Sequence, residues 1–296
     1  MEKRNEDLVF GDDLGLEDLT MTSLERHEPQ RISINGKRHY CCIGFPNVPD
    51  GTVLPSVTTV LSAMAPVGKI MALVNWRRKI GESEARRRTR LASDRGTWLH
   101  GVMEDWFNGE DIEHHLERAP EWKPYFYLME PFLLGDKDHL ESICDEDSLE
   151  YVKYCDGIEK PLMTESAVAW YDPELQVGVA GTVDQFAFTK ARRFSLPDWK
   201  SSFKVKPQSQ LADYKRQLGG YALAIEQMEQ CSVDEAWSVL ACYDPEDDNS
   251  IPTLQLVRLD GFELVAQQRI MQDTVQRYFA EHYPGGRAFT MTADKG

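Results

Sequence analysis

Two aspartates and a lysine, Asp184, Asp198 and Lys200, are of the types and at the spacing that could support hydrolytic chemistry. Asp184 lies in a stretch of alternating Val and Phe at residues 176–188, and the other two end a short apolar run. Both patterns predict β-strands, which a hairpin would join. Because side chains alternate along a strand, Asp198 and Lys200 point to one face and Trp199 points to the other.

Two carboxylates that meet across a hairpin repel each other unless a cation lies between them, and hard oxygen ligands suit Mg²⁺ or Mn²⁺. An Asp-x-Lys sequence at the end of a strand is also a common solvated ion pair. Three further motifs favour a functional site: Gly-Thr-x-x-His at 96–100, Gly-Thr-x-Asp at 181–184, and Gln-Leu-Gly-Gly-Tyr at 217–221.

The order of these motifs resembles the PD-(D/E)XK nuclease superfamily, in particular its RecB-like exonuclease branch, over about residues 54–240. Residues 54–61, Trp76 and the Gly-Thr-x-x-His motif are most similar to the mitochondrial genome maintenance exonuclease and related phage single-strand exonucleases. The acidic start of the chain favours the phage side, because a transit peptide is rich in Arg and poor in acids.

The resemblance implies an α/β fold with a restriction-endonuclease-like core, in which helices flank a mixed central β-sheet behind an N-terminal hairpin and helical insertion. It also implies roles for individual residues. Lys200 would position or deprotonate the attacking water, or stabilise charge at phosphorus. The implied metal ligands are His100, Asp184, Asp198 and the Trp199 carbonyl; Gln217 and Tyr221 would act beside the metal, and Glu104 and Glu165 would support the site.

The composition predicts a soluble, intracellular protein without a membrane partner. A chain of 296 residues with 42% hydrophobic content can bury a sizeable core, and it contains no apolar run of about 18 residues and no signal peptide. We therefore expect a cytoplasmic location, in the host cell if the gene is phage-encoded. The six cysteines form no Cys-x-x-Cys pair, and they lack the pattern that binds an iron–sulfur cluster in some relatives, so no cluster is expected.

The net charge of −16 argues against binding DNA by bulk electrostatic attraction. Residues 76–95 differ, because they contain eight basic residues and three acidic ones, a net of +5. Such a strip suits a confined channel for a DNA strand, and it equally suits a solvated helix face. The predicted DNA-binding residues are Arg77, Arg78, Arg86, Arg87, Arg88, Arg95 and Lys204.

The chain divides into three predicted segments. Residues 1–30 form an acidic, loosely ordered arm, residues 31–160 form the hairpin and helical region, and residues 161–296 form the nuclease core. Within the second segment we expect a hairpin turn at Asn35-Gly36, a helix capped by Ser56, a long helix ending near residue 107, and an aromatic-rich helix in 120–140. We also expect a surface loop containing His114-His115 and an acidic linker at 136–159.

These patterns together predict a metal-dependent DNA exonuclease that acts on single-stranded ends in DNA replication, recombination or repair, with replication or recombination proteins as possible partners. The first alternative is a structure-specific or flap endonuclease on the same core. The second is a catalytically silent DNA-binding module. The complete set of Asp184, Asp198 and Lys200 favours an active enzyme, because decay of a site usually removes one such residue first.

Overall fold

A five-stranded mixed sheet forms the centre of the molecule, in the computed structural model that describes Leu24, His27 and residues 30–291. The strands, in their spatial order, are β4 (Ile158–Asp172), β5 (Val177–Thr189), β6 (Phe194–Ser202), β7 (Glu235–Cys242) and β8 (Thr253–Asp260). Only β6 and β7 pair in parallel, because the helix α8 (Ala212–Glu229) crosses between them. The predicted sheet flanked by helices is confirmed, whereas most of the predicted acidic arm lies outside the described residues.

A second, smaller sheet takes three strands from before the main sheet and one from after it. It has the order β1 (Arg31–Ile34), β2 (Lys37–Cys42), β3 (Thr52–Pro55) and β9 (Phe289–Thr290). The turn between β1 and β2 has positive φ at Asn35 (51°) and Gly36 (72°), as the predicted Asn-Gly hairpin requires.

Along the sequence, the segment between β3 and β4 is mostly helical. Its helices are α1 (Val57–Ala63), α2 (Val67–Ile80), α3 (Glu82–Asn108), α4 (Glu113–Arg118), α5 (Lys123–Leu134), α6 (Lys137–Ile143) and α7 (Leu149–Val152). Ser56 caps α1 as predicted, since its hydroxyl accepts the Thr59 N–H at 3.0 Å. Among the described residues no single helix is long and apolar enough to span a membrane, and α1 with α2 reaches that composition only as a pair bent by 89°.

Two predictions for this region are wrong. The acidic stretch at 136–159 contains α6 and α7, because Asp136 caps α6 through the His139 N–H and Leu140 is fully buried. His114 and His115 lie on α4 and not in a loop. Short helices anchored by one or two apolar residues carry too few turns to show a periodic pattern in an acidic sequence.

Each face of the main sheet covers its own apolar core. On one face, α1, α8 and α9 (Gly261–His282) pack against β4 and β5; on the other, α3 and α5 pack against β6 to β8. Trp199 lies in the second core, with its ring centroid 6.0 Å from those of Phe107 and Phe132. The strand β6 is thereby held from the face opposite to Asp198 and Lys200.

Candidate active site

The strands β5 and β6 separate at the point where Asp184 and Asp198 face each other. Their ladder contains only two residue pairs, Ala187 with Ser195 and Phe188 with Phe194, and it ends before the aspartates. Beyond it, the Asp184 carboxylate accepts the Trp199 N–H at 2.8 Å and so replaces a backbone ladder partner. The strand separation therefore opens a cleft lined by both carboxylates.

Lys200 lies between these two carboxylates. Its Nζ is 2.6 Å from Asp198 Oδ1 and 3.8 Å from Asp184 Oδ2. Asp198 is 1% exposed and Asp184 is 8% exposed, so little water screens the three charges. The sequence predicted this convergence from strand alternation and a hairpin that joins the two strands.

Gln217 and Tyr221 approach from α8. The Gln217 side-chain amide donates to Asp198 Oδ1 at 3.1 Å and to the Tyr221 hydroxyl at 3.2 Å. The Tyr221 ring lies directly on Gly181, where an added Cβ would stand only 2.5 Å from Tyr221 Cε1. Gly181 of the Gly-Thr-x-Asp motif thus leaves the space that the Tyr221 ring occupies. The sequence did not reveal this reason for a glycine at position 181.

His100 approaches from α3 on the other side of Asp184. Its Nδ1 is 2.9 Å from Glu165 Oε1 and 3.4 Å from Asp184 Oδ1. Ligand atoms of these three residues all lie within 4.8 Å of one another. Glu165, to which the sequence assigned only a supporting role, therefore belongs to the innermost group of donors, whereas Glu104 lies one helical turn beyond His100 on α3.

Glu165 has an unusual backbone. Its φ is +45°, within β4 and opposite Asp184 in the strand register, where the pairs on either side are Thr164 with Gln185 and Ser166 with Val183. A non-glycine residue in the left-handed region costs about 1 to 3 kcal/mol, and such residues concentrate at functional sites. Residue-type patterns do not report this conformation, so the sequence could not have predicted it.

The electrostatics of the site follow from burial and from opposed charges. Burial raises the pKa of Asp198 to about 6, although the Lys200 ammonium opposes the shift. Burial alone would lower the pKa of Lys200, but Asp198 and Asp184 outweigh it and raise that pKa. The negative charge of Asp184, together with the hydrogen bond to Glu165, raises the pKa of His100 to about 9 against the effect of burial. An acidic cluster of this kind attracts cations.

A comparison with known protein families identifies the superfamily to which this chain belongs. A sequence model of the PD-(D/E)XK nuclease superfamily matches residues 75–287, which include every residue of the site described above. The chain belongs to the PD-(D/E)XK nuclease superfamily. A search for similar sequences among curated proteins found none. The crystal structure of SSO0001 is similar over 56% of this chain and 86% of that chain, with 12% identity and a TM-score of 0.28.

Nucleases of this superfamily use divalent metals, and the donor set of this chain fits such an ion. Asp184 and Glu165 offer carboxylate oxygens and His100 offers an imidazole nitrogen, all within 4.8 Å. Asp198 adds a buried carboxylate on the adjacent strand. Oxygen-rich sets with one imidazole suit Mg²⁺ or Mn²⁺. The Trp199 carbonyl, the fourth implied metal ligand, lies next to Asp198 on β6. The strand β6 pairs with β7 in the parallel ladder.

A cavity of about 940 Å³ opens next to the nuclease site and not at the carboxylates themselves. It lies between α2, α3 and the segment that follows β6, beginning two residues after Lys200. We call it the lateral groove. Its lining combines basic residues with aromatic and apolar ones and with two aspartates: Trp76, Arg88, Phe203, Lys204, Lys206, Ile251, Asp244 and Asp247.

The predicted basic strip divides into different environments. Arg95 is 2% exposed, and its guanidinium packs over Phe203 at 4.1 Å and Tyr125 at 4.8 Å while Nη2 donates to the Ser201 carbonyl at 3.3 Å. Its interpretation as a surface DNA contact is therefore wrong, because aromatic rings enclose the charge and it supports the end of β6 instead.

The consecutive arginines of α3 carry their own counter-ions. Arg86 bonds Glu82 at 3.0 Å, and Arg88 bonds Glu84 at 2.7 Å. Arg87 bonds Glu84 at 2.8 Å and Glu246 at 2.6 Å. Arg77 and Arg78 lie exposed on α2. The excess positive charge that the sequence showed is thus reduced at α3, and the lateral groove adds the exposed Lys204 and the half-buried Lys206.

Proposed function

We propose that this nuclease is a Mg²⁺- or Mn²⁺-dependent exonuclease that hydrolyses phosphodiester bonds at single-stranded DNA ends, in DNA replication, recombination or repair. The RecB-like branch, the phage-type origin and a cytoplasmic location belong to the same proposal. The observation that carries the catalytic part is the position of Lys200, 2.6 Å and 3.8 Å from two carboxylates in a cleft where strands separate.

The chain's own residues would share the chemistry. Asp184, Asp198, Glu165 and His100 would hold the divalent cation, which when bound supplies Lewis acidity toward water and the phosphate. Asp198 and Asp184 keep Lys200 charged, so its ammonium would offset the negative charge that develops at phosphorus. Gln217 would keep Asp198 oriented through its 3.1 Å hydrogen bond, with the Tyr221 hydroxyl fixing the amide.

The preference for a single strand rests on the lateral groove. Trp76 offers an aromatic ring on which an unpaired base could stack, Phe203 lines the groove with Arg95 packed over one face of its ring, and Lys204 and Lys206 offer charges for the phosphates. The groove begins at Ser202, two residues after Lys200, so a strand lying in it would end beside the segment of β6 that carries Asp198 and Lys200. A duplex would instead meet the exposed acidic body of a chain with net charge −16.

Linear single-stranded DNA, labelled at either end, tests the proposal when it is compared with a covalently closed single-stranded circle and a linear duplex. With Mg²⁺ we expect stepwise shortening of the linear strand from one end and an intact circle. Cleavage of the circle would instead show an endonuclease. An uncut linear strand, together with retained binding, would show a silent DNA-binding module.

The metal requirement has a separate test. Cleavage should disappear in chelator, return with Mg²⁺ or Mn²⁺, and fail with Ca²⁺, which takes more ligands at longer distances and places water poorly. Robust cutting in chelator would contradict the assignment of the four metal ligands.

A further inference from the structure

A second group of metal-ligating side chains lies where α3 ends and α4 begins. Asp105 comes from α3 and His114 and His115 come from α4, and one ligand atom from each lies within 4.8 Å of the others. Asp105 follows His100 by five residues on the same helix. It therefore projects roughly 140° around the helix axis from His100, away from the nuclease site.

Asp105 contacts two imidazole rings and not one, so the arrangement is more than a simple ion pair. His115 Nε2 is 2.7 Å from Asp105 Oδ2, and His114 Nε2 is 3.6 Å from the same oxygen. The two imidazole rings lie 4.0 Å apart at an angle of 38°. One imidazole is enough to pair with a carboxylate, whereas here two ring nitrogens and a carboxylate oxygen lie close enough together to share one metal ion.

The surrounding contacts orient the two rings; His115 Nε2 donates its proton to Asp105 in the absence of metal and releases that proton when an ion binds. His114 Nδ1 is 2.8 Å from the Asp111 carbonyl oxygen, which can only accept, so Nδ1 carries the proton and Nε2 keeps its lone pair. His115 packs on Gly101, where an added Cβ would stand 3.3 Å from its Cε1. The Trp98 indole donates to the His115 carbonyl at 3.0 Å and holds the backbone of α4 in place.

We propose that Asp105, His114 and His115 bind a transition-metal ion of the zinc class, at a site separate from the nuclease centre. Two imidazoles and one carboxylate suit Zn²⁺ better than Mg²⁺, which prefers oxygen ligands. The His114 side chain is 60% exposed, so the ion can enter from solvent and a water can complete its coordination. Since only the folded chain brings the ligands together, the ion ties α4 to α3 and stabilises the folded state.

The experiment uses the full chain with Asp184→Asn and Asp198→Asn, which removes ligands of the nuclease site. The protein is equilibrated with Zn²⁺, freed of unbound metal, and analysed for zinc per chain and for melting temperature. We expect one ion per chain and a higher melting temperature with zinc. Adding His114→Gln or Asp105→Asn should weaken the binding by more than the roughly 10- to 100-fold that loss of an outer hydrogen-bond partner costs.

His139→Gln is the matched control, because His139 is an exposed histidine on α6 outside the cluster. It should leave both readouts unchanged. In the chain with both nuclease-site aspartates intact, His114→Gln should lower the zinc content by one ion per chain, which covers the case in which the double variant folds poorly. Unchanged zinc content after His114→Gln in both backgrounds would overturn the proposal, as would equal losses from His139→Gln. Neither readout depends on DNA cleavage.

Discussion

Lys200 and Asp198 form the most enclosed charge pair of the nuclease site. Asp198 accepts hydrogen bonds from Lys200 and Gln217 through one oxygen, and the Ser238 hydroxyl lies 3.4 Å from the other. Each oxygen of this carboxylate therefore has a partner within the protein, and its position is fixed before any substrate arrives. Preorganised charge of this kind is what stabilises a transition state most effectively.

We expect Asp198→Asn to lower the cleavage rate by at least about 10³-fold, because the amide keeps the size of the side chain and loses the charge that would hold the cation. Binding of single-stranded DNA should change little. Rates on labelled DNA in Mg²⁺ and affinity in Ca²⁺ measure the two effects. Asp156→Asn is a suitable control, since Asp156 pairs with Lys137 and Arg193 outside the site. Wild-type cleavage by the Asp198 variant would refute its assignment.

The left-handed backbone of Glu165 leads to a second prediction. Glu165→Gln and Glu165→Gly both remove the carboxylate, so both should lose most nuclease activity. They differ in backbone preference, because glycine adopts positive φ without steric cost. The glycine variant should therefore be more stable than the glutamine variant, by about 1 kcal/mol in urea unfolding. Equal stabilities, or a less stable glycine variant, would show that the strand relaxes at this position.

At this scale the sequence predicted the convergence of Asp184, Asp198 and Lys200 from strand alternation and a joining hairpin, and it indicated Gln217 only through the resemblance to the superfamily. It missed the central position of Glu165 and the burial of Arg95. The first depends on how β4 lies against β5, and the second depends on Tyr125 and Phe203 closing over the guanidinium. Neither relation is visible in residues that are neighbours along the chain.

Among the elements, α8 packs closely against α9. It crosses α9 at Gly219, where an added Cβ would stand 2.6 Å from the backbone carbonyl carbon of Gln267. At the adjacent Gly220, the nearest atom would be Met271 Cγ at 3.2 Å, on a flexible side chain. The two neighbouring glycines thus differ in the room left for a side chain. Gly219, which has none, sets the distance between α9 and the helix α8 that carries Gln217.

We predict that Gly219→Ala destabilises the protein by about 2 kcal/mol, since backbone cannot move aside and overpacking outweighs the better helix propensity of alanine. Gly220→Ala should be close to neutral, because a shift of Met271 offsets the gain in propensity. Chemical unfolding of the two single variants measures the difference. The reverse order of stabilities would mean that α8 and α9 separate easily.

The order and type of the core elements were predictable from hydrophobic periodicity, which is strong in long segments such as β5 and α9. Three features at this scale were not. The early end of the β5–β6 ladder, the helix α4 and the helices α6 and α7 all depend on tertiary contacts, such as the Trp98 hydrogen bond to α4. Local residue types alone do not favour these structures over loops.

For the whole molecule, the main electrostatic question is where positive charge lies on a chain of net charge −16, and the lateral groove places Lys204 and Lys206 near Asp244 and Asp247. Glu82 and Glu84 of α3 already pair with Arg86 and Arg87, so the charges of these arginines contribute less to DNA binding than the sequence suggested. The location of free positive charge depends on which acids the fold places beside each base, and that information is distributed over residues far apart in the chain.

The double variant Lys204→Ala and Lys206→Ala should flatten the dependence of log affinity for single-stranded DNA on log salt. We expect a change of up to about 1.4 units, at roughly 0.7 per phosphate on a single strand. Titrations in Ca²⁺ at several salt concentrations measure the slope. Lys153→Ala with Lys190→Ala is the matched control, because both lysines are exposed outside the groove and the charge change is identical. Equal slopes for the two double variants would exclude the lateral groove as the path of the strand.

The small sheet makes the two ends of the described chain interdependent. β3 pairs with β9, Met291 donates its N–H to the Gly51 carbonyl at 2.9 Å, and the Tyr283 hydroxyl bonds His39 Nε2 at 2.8 Å. During translation, β1 to β3 emerge from the ribosome more than two hundred residues before their last strand. The small sheet therefore keeps an open edge until residue 291 has been synthesised, and a nascent chain can form the nuclease sheet before it can close the molecule.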